Sequence, residues 1–302
     1  MNSTPLRTEI GGITLENPLM LASGILDENG YTMARILREG AAAVVTKSIG
    51  LDERTGYMPP VVFPGDGYLL NAIGLTNPGI DSFGDEIRVA KETGKPVIGS
   101  IFGKDAEEFL RVALKMESYG VAGIELNLSC PHVKGFGSEI GSDPALVEEI
   151  VGELKRKLKV PVFAKLSPNV TDIVAIAKAA SASDGLVLIN TVRGIAIDIF
   201  ARKPVLTNGY GGLSGRAIKP IGVRLVHEVK KETGHAIIGV GGIYTASDVM
   251  EYIMAGADAV QLGTVLMDRG KSVFREIAAE LGTLLEKLGE GSIRNLVGVA
   301  VS

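Results

Sequence analysis

The stretch PVIGSIFGKDAEEFLRVALKMESYGVAGIELN at residues 96–127 decides the fold of this chain. It begins with a short apolar run, PVIGSI, continues with the amphipathic segment AEEFLRVALKMESYG and ends in a second apolar run, AGIELN. Both runs are too short for a helix and apolar on both faces, which is typical of buried parallel strands joined by a crossover helix. The stretch therefore predicts one strand-helix-strand unit.

The same alternation continues in both directions along the chain. Short runs rich in Val, Ile, Leu and Ala lie at 18–22, 42–46, 96–101, 122–127, 160–165, 185–190, 236–240 and 258–263. No GxGxxG fingerprint of an open dinucleotide-binding sheet follows the first run. Eight such units without a break in composition predict an α/β fold, a (β/α)₈ TIM barrel over residues 1–302 as one domain. The segment LRTEIGGITLENP at 6–18 predicts an N-terminal β-hairpin in front of the barrel.

The composition excludes several classes of protein. The chain has 302 residues, 46% hydrophobic and 22% charged, which is globular rather than disordered or fibrous. A net charge of −4 and the lack of Trp argue against nucleic-acid binding. No secretion signal and no run of 18 apolar residues are present, so a cytoplasmic protein is expected. One cysteine and no HExxH or carboxylate cluster predict neither a disulfide nor a metal site in this chain.

Two long loops follow predicted strands, at about 49–82 and 191–216. Because they follow strands, both should lie over the C-terminal mouth of the barrel, where barrel enzymes keep their chemistry. They are interpreted as lids or covers for a substrate, with tolerated surface insertions as the alternative.

Polar residues end most of the predicted strands, and the two lysines among them are the most informative. Lys47 and Lys165 follow apolar runs, where an unpaired ammonium group is costly. An anionic ligand explains both lysines at once, and salt bridges to rim carboxylates are the alternative. The last two strands end in GVGGI at 239–243 and QLGT at 261–264. Backbone N–H groups exposed there at helix starts predict a phosphate site.

The cysteine stands in NLSCPHVKGFG, just beyond a predicted strand. A free cysteine is most often an inert buried side chain. Beside Asn127 and Ser129, however, the Cys130 thiol has a polar setting in which it can act as a nucleophile or general base.

The sequence resembles class 1 dihydroorotate dehydrogenase over essentially its whole length. The resemblance rests on LASG at 21–24, TKSI at 46–49, NAIGLTNPG at 71–79, NLSCPHVKGFG at 127–137, AKLSPN at 164–169, INT at 189–191, NGYGGLSG at 208–215, GVGGI at 239–243 and LGT at 262–264. Within the class it is similar to the NAD-linked 1B catalytic subunit rather than to the fumarate-using 1A form, judging by CPHVKGFG and by AIDIFARKPVLTNGYGGLSGRAIKP at 196–220.

The resemblance implies an FMN site and a dihydroorotate site at the mouth of this single barrel domain. The implied FMN contacts are Ser23, Lys47, Ser48, Ser100, Asn127, Lys165, Ile189, Gly215, Gly241, Gly242, Gly263 and Thr264. The implied dihydroorotate contacts are Lys47, Asn71, Ala72, Ile73, Gly74, Leu75, Asn127, Asn190 and Thr191. Relatives often have Asn where this chain has Ser100, which puts that contact in doubt.

The resemblance also implies a mechanism and a partner. Cys130 takes the proton from C5 of dihydroorotate while C6 delivers hydride to FMN, and Lys47 and Lys165 stabilise negative charge. Orotate, the product, belongs to de novo pyrimidine (UMP) biosynthesis. The single cysteine cannot carry an iron–sulfur cluster, so NAD⁺ linkage implies a second subunit with FAD and [2Fe–2S]. A homodimer core of a heterotetramer is implied as well.

Three other functions compete with this interpretation. A 1A-type fumarate-linked enzyme and another FMN barrel acting on pyrimidines, such as the pyrimidine-reducing domain of dihydropyrimidine dehydrogenase, share the strand-end pattern. A phosphate-binding barrel lyase or isomerase without flavin could use the same glycines and lysines.

Overall fold

The computed structural model describes residues 4–128 and 140–301. Its strands are β1 (Thr8–Ile10), β2 (Ile13–Leu15), β3 (Leu19–Leu21), β4 (Ala43–Val45), β5 (Glu53–Arg54), β6 (Val62–Gly65), β7 (Tyr68–Asn71), β8 (Asn77–Pro78), β9 (Val97–Ile101), β10 (Gly123–Asn127), β11 (Val162–Lys165), β12 (Gly185–Leu188), β13 (Val192–Gly194), β14 (Ile197–Asp198), β15 (Lys203–Pro204), β16 (Gly211–Ser214), β17 (Ile237–Val240) and β18 (Ala259–Leu262).

The α-helices α1 to α7 each lie in the chain between two strands, and α8 and α9 follow the last strand. They are α1 (Gly30–Arg38), α2 (Gly84–Lys91), α3 (Ala106–Ser118), α4 (Pro144–Lys157), α5 (Ile173–Ala179), α6 (Lys219–Thr233), α7 (Ala246–Met254), α8 (Val265–Arg269) and α9 (Val273–Leu288).

Eight parallel strands close into a barrel in the order β10, β11, β12, β17, β18, β3, β4, β9. Each lies inside one of the eight predicted apolar runs, so the predicted (β/α)₈ barrel is confirmed. The strands are shorter than the runs by a residue or more at some ends. Their residues are almost all buried, because the helices cover one face and the barrel interior the other.

Side-chain caps begin several of the helices. The Asp105 carboxylate accepts a hydrogen bond from the backbone N–H of Glu108 at 2.8 Å and starts α3. Thr245 and Asp248 form a reciprocal capping box at the start of α7. The buried faces of these helices join the larger hydrophobic core, between the strands and the helix ring.

A second hydrophobic core fills the barrel at the N-terminal ends of its strands. The predicted hairpin is confirmed as the antiparallel pair β1 and β2. Its Ile10, Ile13 and Leu15 pack with interior side chains that include Met20 and Phe163. Among the described residues, apolar side chains therefore close this end of the barrel and leave the C-terminal end for a site.

The two long loops form structure of their own over that end. Strands β6 and β7 from the first loop and β13 and β16 from the second make one four-stranded sheet, in the order β13, β16, β7, β6. The two loops meet where β16 pairs antiparallel with β7, with Gly212 opposite Asn71. The sequence predicted the position of these loops but not their pairing.

Candidate active site

A cavity of about 340 Å³ opens at the C-terminal ends of the barrel strands. Most of the predicted site residues line it. From the predicted set these are Ser23, Lys47, Ser48, Asn71, Ile73, Gly74, Leu75, Asn127, Lys165, Ile189, Asn190, Thr191, Gly215, Gly241, Gly242, Gly263 and Thr264. The fold thus brings together residues that are far apart in the sequence.

One end of the cavity is formed by bare backbone and small hydroxyl side chains. Gly241 and Gly242 follow β17 with φ of 123° and 68°, a region in which a side chain is strained. A Cβ on Gly242 would stand 2.7 Å from Cβ of Lys219, so this turn requires glycine. Nearby, the Thr264 hydroxyl donates to Oγ of Ser214 at 2.8 Å. Ser214 lines the cavity as well and was not predicted.

The Ser48 hydroxyl is the centre of a small hydrogen-bond network. Its Oγ lies 2.8 Å from Oγ of Ser100 and 3.3 Å from Oγ of Ser23, and it accepts a hydrogen bond from Nδ2 of Asn127 at 3.0 Å. Ser100 is fully buried and does not line the cavity. The predicted flavin contact of Ser100 is therefore not supported by its position. The serine side chain is shorter than the Asn of relatives. Among the described residues it reaches only Ser48 and holds the Ser48 hydroxyl in place by a hydrogen bond.

Lys47 reaches the rim of the cavity and is paired there. Its Nζ donates to Oε1 of Glu28 at 2.6 Å, and the Glu28 side chain is 66% exposed. The salt bridge considered as the alternative is therefore present, but it uses one of the three N–H groups of Lys47. An ammonium group has two more donors, so the pair does not prevent an anionic ligand from binding.

Asp27 fixes the loop between β3 and α1 and ties it to Lys47. Its carboxylate accepts from the backbone N–H of Gly24 at 2.5 Å, and its carbonyl accepts from the backbone N–H of Lys47. Burial raises the pKa of Asp27 to about 6, against the lowering effects of the Gly24 hydrogen bond and of Lys47.

Asp27→Asn is expected to remove part of the pH dependence of stability. Because the folded pKa of Asp27 lies above its unfolded value, the folded state holds the proton more tightly. Its contribution of about 3 kcal/mol is present below pH ~4 and is lost as pH rises through ~6. Urea unfolding from pH 4 to 7 measures the difference between wild type and variant. The exposed Asp66→Asn serves as control, and a wild-type-minus-variant difference that stays flat with pH would contradict the expectation.

Lys165 lies deeper, inside the barrel. Its Nζ donates to Oε1 of Glu125 at 3.3 Å, and the other carboxylate oxygen of Glu125 accepts from Nε2 of Gln261 at 2.7 Å. All three side chains are buried. Gln261 also lines the cavity, and neither it nor Glu125 was predicted.

Some of the predicted substrate contacts lie in the first long loop, where Asn71 is the last residue of β7. Nδ2 of Asn71 donates to the carbonyl of Gly212 at 3.3 Å, which ties the contact to the pairing of the two loops. Ala72 is fully buried with Leu70 and Leu206 in a small separate core and does not line the cavity. The predicted base Cys130 lies outside the described residues.

The structure adds an aromatic side chain to the site. Tyr244 lines the cavity, and the Arg216 guanidinium stacks on its ring at 3.9 Å from the centroid. Burial, with Asp268 nearby, raises the pKa of Tyr244 to about 12, so its hydroxyl is protonated at neutral pH. Tyr244 directly follows GVGGI, which was the one signal that could have found it.

None of the helices within 4–128 and 140–301 has the length and apolar character needed to cross a lipid bilayer. Within the same ranges, no three His, Cys, Asp or Glu side chains cluster as metal ligands would.

Comparison with known proteins assigns this barrel to a family. A family model described as "Dihydroorotate dehydrogenase" matches residues 5–285. The chain belongs to the dihydroorotate dehydrogenase family. Dihydroorotate dehydrogenases depend on a flavin, and the cavity described above lies within the matched residues.

Curated dihydroorotate dehydrogenases cover almost the whole chain. A protein of Thermoplasma acidophilum is 64% identical over 296 residues, 98% of this chain and 99% of the relative. A protein of Methanocaldococcus jannaschii is 48% identical over 306 residues, 99% of each. Both are named "Dihydroorotate dehydrogenase B (NAD(+)), catalytic subunit". The resemblance to the NAD-linked 1B type is therefore confirmed.

Proposed function

We propose that this chain is the catalytic subunit of an NAD⁺-linked dihydroorotate dehydrogenase, which oxidises (S)-dihydroorotate to orotate in pyrimidine biosynthesis. The observation that carries the proposal is the convergence of Lys47, Lys165, Asn127 and the glycine turn at 241–242 on one cavity of the family's barrel. Cations, amides and bare backbone suit an anionic, planar substrate beside a phosphate-bearing cofactor.

The cavity offers features that fit FMN. Backbone without side chains at Gly215, Gly241, Gly242 and Gly263, with the Ser214 and Thr264 hydroxyls, suits the phosphate. The remaining proposed contacts lie on the strand ends and suit the polar edge and ribityl chain. They are Ser23, Lys47, Ser48, Asn127, Lys165 and Ile189. We propose that residues 1–302 form one FMN-binding barrel domain.

Gly263→Ala is expected to weaken FMN binding without destabilising the apoprotein. A Cβ there would meet only Cβ of Ala22, at 3.7 Å, but would occupy the proposed phosphate site. Loss of one charge-assisted hydrogen bond, about 1.5–3 kcal/mol, corresponds to an FMN dissociation constant about 10 to 150 times higher. Quenching of FMN fluorescence on titration with apoprotein measures the affinity.

Gly282→Ala on α9 is the matched control for that variant. A Cβ at Gly282 meets nothing within 4 Å, and alanine in a helix interior adds up to about 1 kcal/mol of stability. This control is expected to bind FMN as wild type does. Equal FMN affinity in both variants would remove Gly263 from the phosphate site.

The chemistry requires loss of a proton from C5 and of a hydride from C6 of dihydroorotate. When bound, FMN supplies the acceptor for the hydride. Cys130 is proposed to take the proton, since a thiol can serve as general base near neutral pH. Lys47 holds the substrate carboxylate, and the amides of Asn71, Asn127 and Asn190 match its ring carbonyls and N–H groups. Ile73, Gly74, Leu75 and Thr191 complete the proposed substrate pocket.

Transfer of electrons to NAD⁺ is assigned to a second subunit. The relatives are named catalytic subunits of an NAD(+) enzyme. This chain has one cysteine, which cannot hold an iron–sulfur cluster. The proposed partner carries FAD and [2Fe–2S] and joins a homodimer of this chain in a heterotetramer.

Anaerobic titration of the purified chain tests the function. Dihydroorotate is expected to bleach the absorbance of bound FMN stoichiometrically, dihydrouracil is not, and added NAD⁺ is not reduced without the partner. If the purified chain holds no flavin even after incubation with FMN, a lyase or isomerase would be favoured. Bleaching by dihydrouracil alone would favour another pyrimidine oxidoreductase, and fast reoxidation by fumarate would favour the 1A type. Direct NAD⁺ reduction would contradict the need for a partner.

A further inference from the structure

Glu125 stands inside the barrel, where branched apolar side chains are usual. It lies on β10, is 1% exposed, and stands in register with Phe163, an interior core residue on the neighbouring strand β11. A buried ion pair adds little to stability, because desolvation offsets the attraction between the charges. The position of Glu125 therefore points to a function other than holding the fold.

Both oxygens of this carboxylate are engaged by residues of the cavity wall. Oε1 accepts from Nζ of Lys165 at 3.3 Å and Oε2 accepts from Nε2 of Gln261 at 2.7 Å. Lys165 is on the neighbouring strand β11, whereas Gln261 is on β18, four strands away around the barrel of eight. Glu125 therefore links opposite walls directly beneath the cavity.

The contact with Glu125 fixes which way the Gln261 amide points. Its NH₂ group must face the carboxylate, so its carbonyl oxygen faces elsewhere. That Oε1 atom is buried and has no hydrogen-bond partner among the described residues, and Gln261 lines the cavity. A buried carbonyl without a donor costs about 1–3 kcal/mol. A hydrogen-bond donor on a bound ligand would remove this cost.

The same carboxylate positions the Lys165 side chain and makes the net charge of the Lys165–Glu125 pair zero. Glu125 takes one of the three N–H groups of Lys165 and leaves the others for the cavity. It also balances the positive charge of Lys165. A cation that is not balanced would favour the electron-rich, reduced state of a nearby flavin more strongly.

We propose that Glu125 is a positioning residue, which aims the Lys165 ammonium and the Gln261 carbonyl at FMN and keeps the reduction potential of the flavin low. Gln261 is the residue that accepts a hydrogen bond from FMN. This inference rests on the proposed function, because it concerns the same bound FMN.

Glu125→Gln is the principal test, since it keeps the volume and removes the charge. The new amide can still accept from Lys165, but Gln261 must turn its carbonyl toward the new NH₂ group. The reduction equilibrium constant of bound FMN is expected to rise at least tenfold, which is about 30 mV for a two-electron couple. The FMN dissociation constant is expected to rise as well. Anaerobic redox titration with reference dyes and FMN fluorescence measure the two quantities.

Asp184→Asn is the matched control, because it removes the carboxylate of another lysine pair outside the cavity. Nζ of Lys155 lies 2.6 Å from Oδ2 of Asp184. This control is expected to lower the melting temperature and to leave the potential and the FMN affinity unchanged. A Glu125→Gln variant that changes only the melting temperature would overturn the proposal.

If Glu125→Gln does not fold, Gln261→Met tests whether Gln261 contacts FMN. It replaces a neutral side chain by one of similar volume and is expected to raise the FMN dissociation constant about tenfold. Unchanged affinity would overturn the role of Gln261. A wild type that binds FMN but is not reduced by dihydroorotate would overturn the proposed function and leave these comparisons intact, whereas a wild type without FMN would overturn both.

Discussion

Cys130→Ser is expected to slow the reduction of bound FMN by dihydroorotate about 10²- to 10⁴-fold at pH 7. An ordinary thiol has a pKa near 8.5 and can reach the basic form near neutral pH, whereas a serine hydroxyl cannot. Cys130 is outside the residues proposed to hold FMN, so the variant is expected to keep its yellow colour. Anaerobic stopped-flow absorbance measures the rate.

The pH profile separates a lost base from a damaged site. The wild-type rate is expected to rise with pH as the thiol ionises, and the serine variant to lose this rise. FMN content, read from the visible absorbance, is the control for folding. A variant that reduces its flavin at nearly the wild-type rate would show that another group takes the proton.

Lys47→Ala is expected to raise the dissociation constant for dihydroorotate about 30-fold or more. Truncating one partner of a buried charge pair costs about 2 kcal/mol at the low end, which is a factor of about 30 in affinity. Lys47 lines the cavity, and its ammonium group is proposed to meet the substrate carboxylate. Weaker binding of FMN is expected too, since Lys47 is also a proposed flavin contact. Titration under anaerobic conditions measures the first constant, and fluorescence the second.

Glu28→Gln provides the control for that change. It removes the exposed carboxylate that lies 2.6 Å from Nζ of Lys47 and keeps the lysine itself. Dihydroorotate is expected to bind this variant as tightly as wild type or more tightly, because a competing anion is gone. If Lys47→Ala binds substrate and FMN normally, Lys47 serves only its salt bridge with Glu28.

Most of the barrel could be predicted from the sequence, because strands buried on both faces have a strong local pattern. The pairing of the loop strands could not be predicted. Gly212 lies opposite Asn71, and nothing near either residue encodes a partner about 140 positions away along the chain. The exposed chain over the mouth also has no alternation as clear as that of the barrel strands.

Site residues at the ends of strands could be predicted from the sequence. Polar site residues inside the strands were missed. Lys47 and Lys165 were found as strand ends, but their partners Glu28 and Glu125 depend on the folded geometry. Glu125 interrupts the apolar run AGIELN, and Gln261 interrupts DAVQLG. A polar residue within a run that is otherwise buried was the available signal for both.

The hairpin at the base of the barrel has a consequence for the order of catalysis. Because Ile10, Ile13 and Leu15 close that end, the described residues leave the opposite opening as the route to the reaction chamber. We expect dihydroorotate to enter and orotate to leave through that opening. Orotate must then leave before the next dihydroorotate binds, and accumulated orotate is expected to compete with dihydroorotate for the cavity.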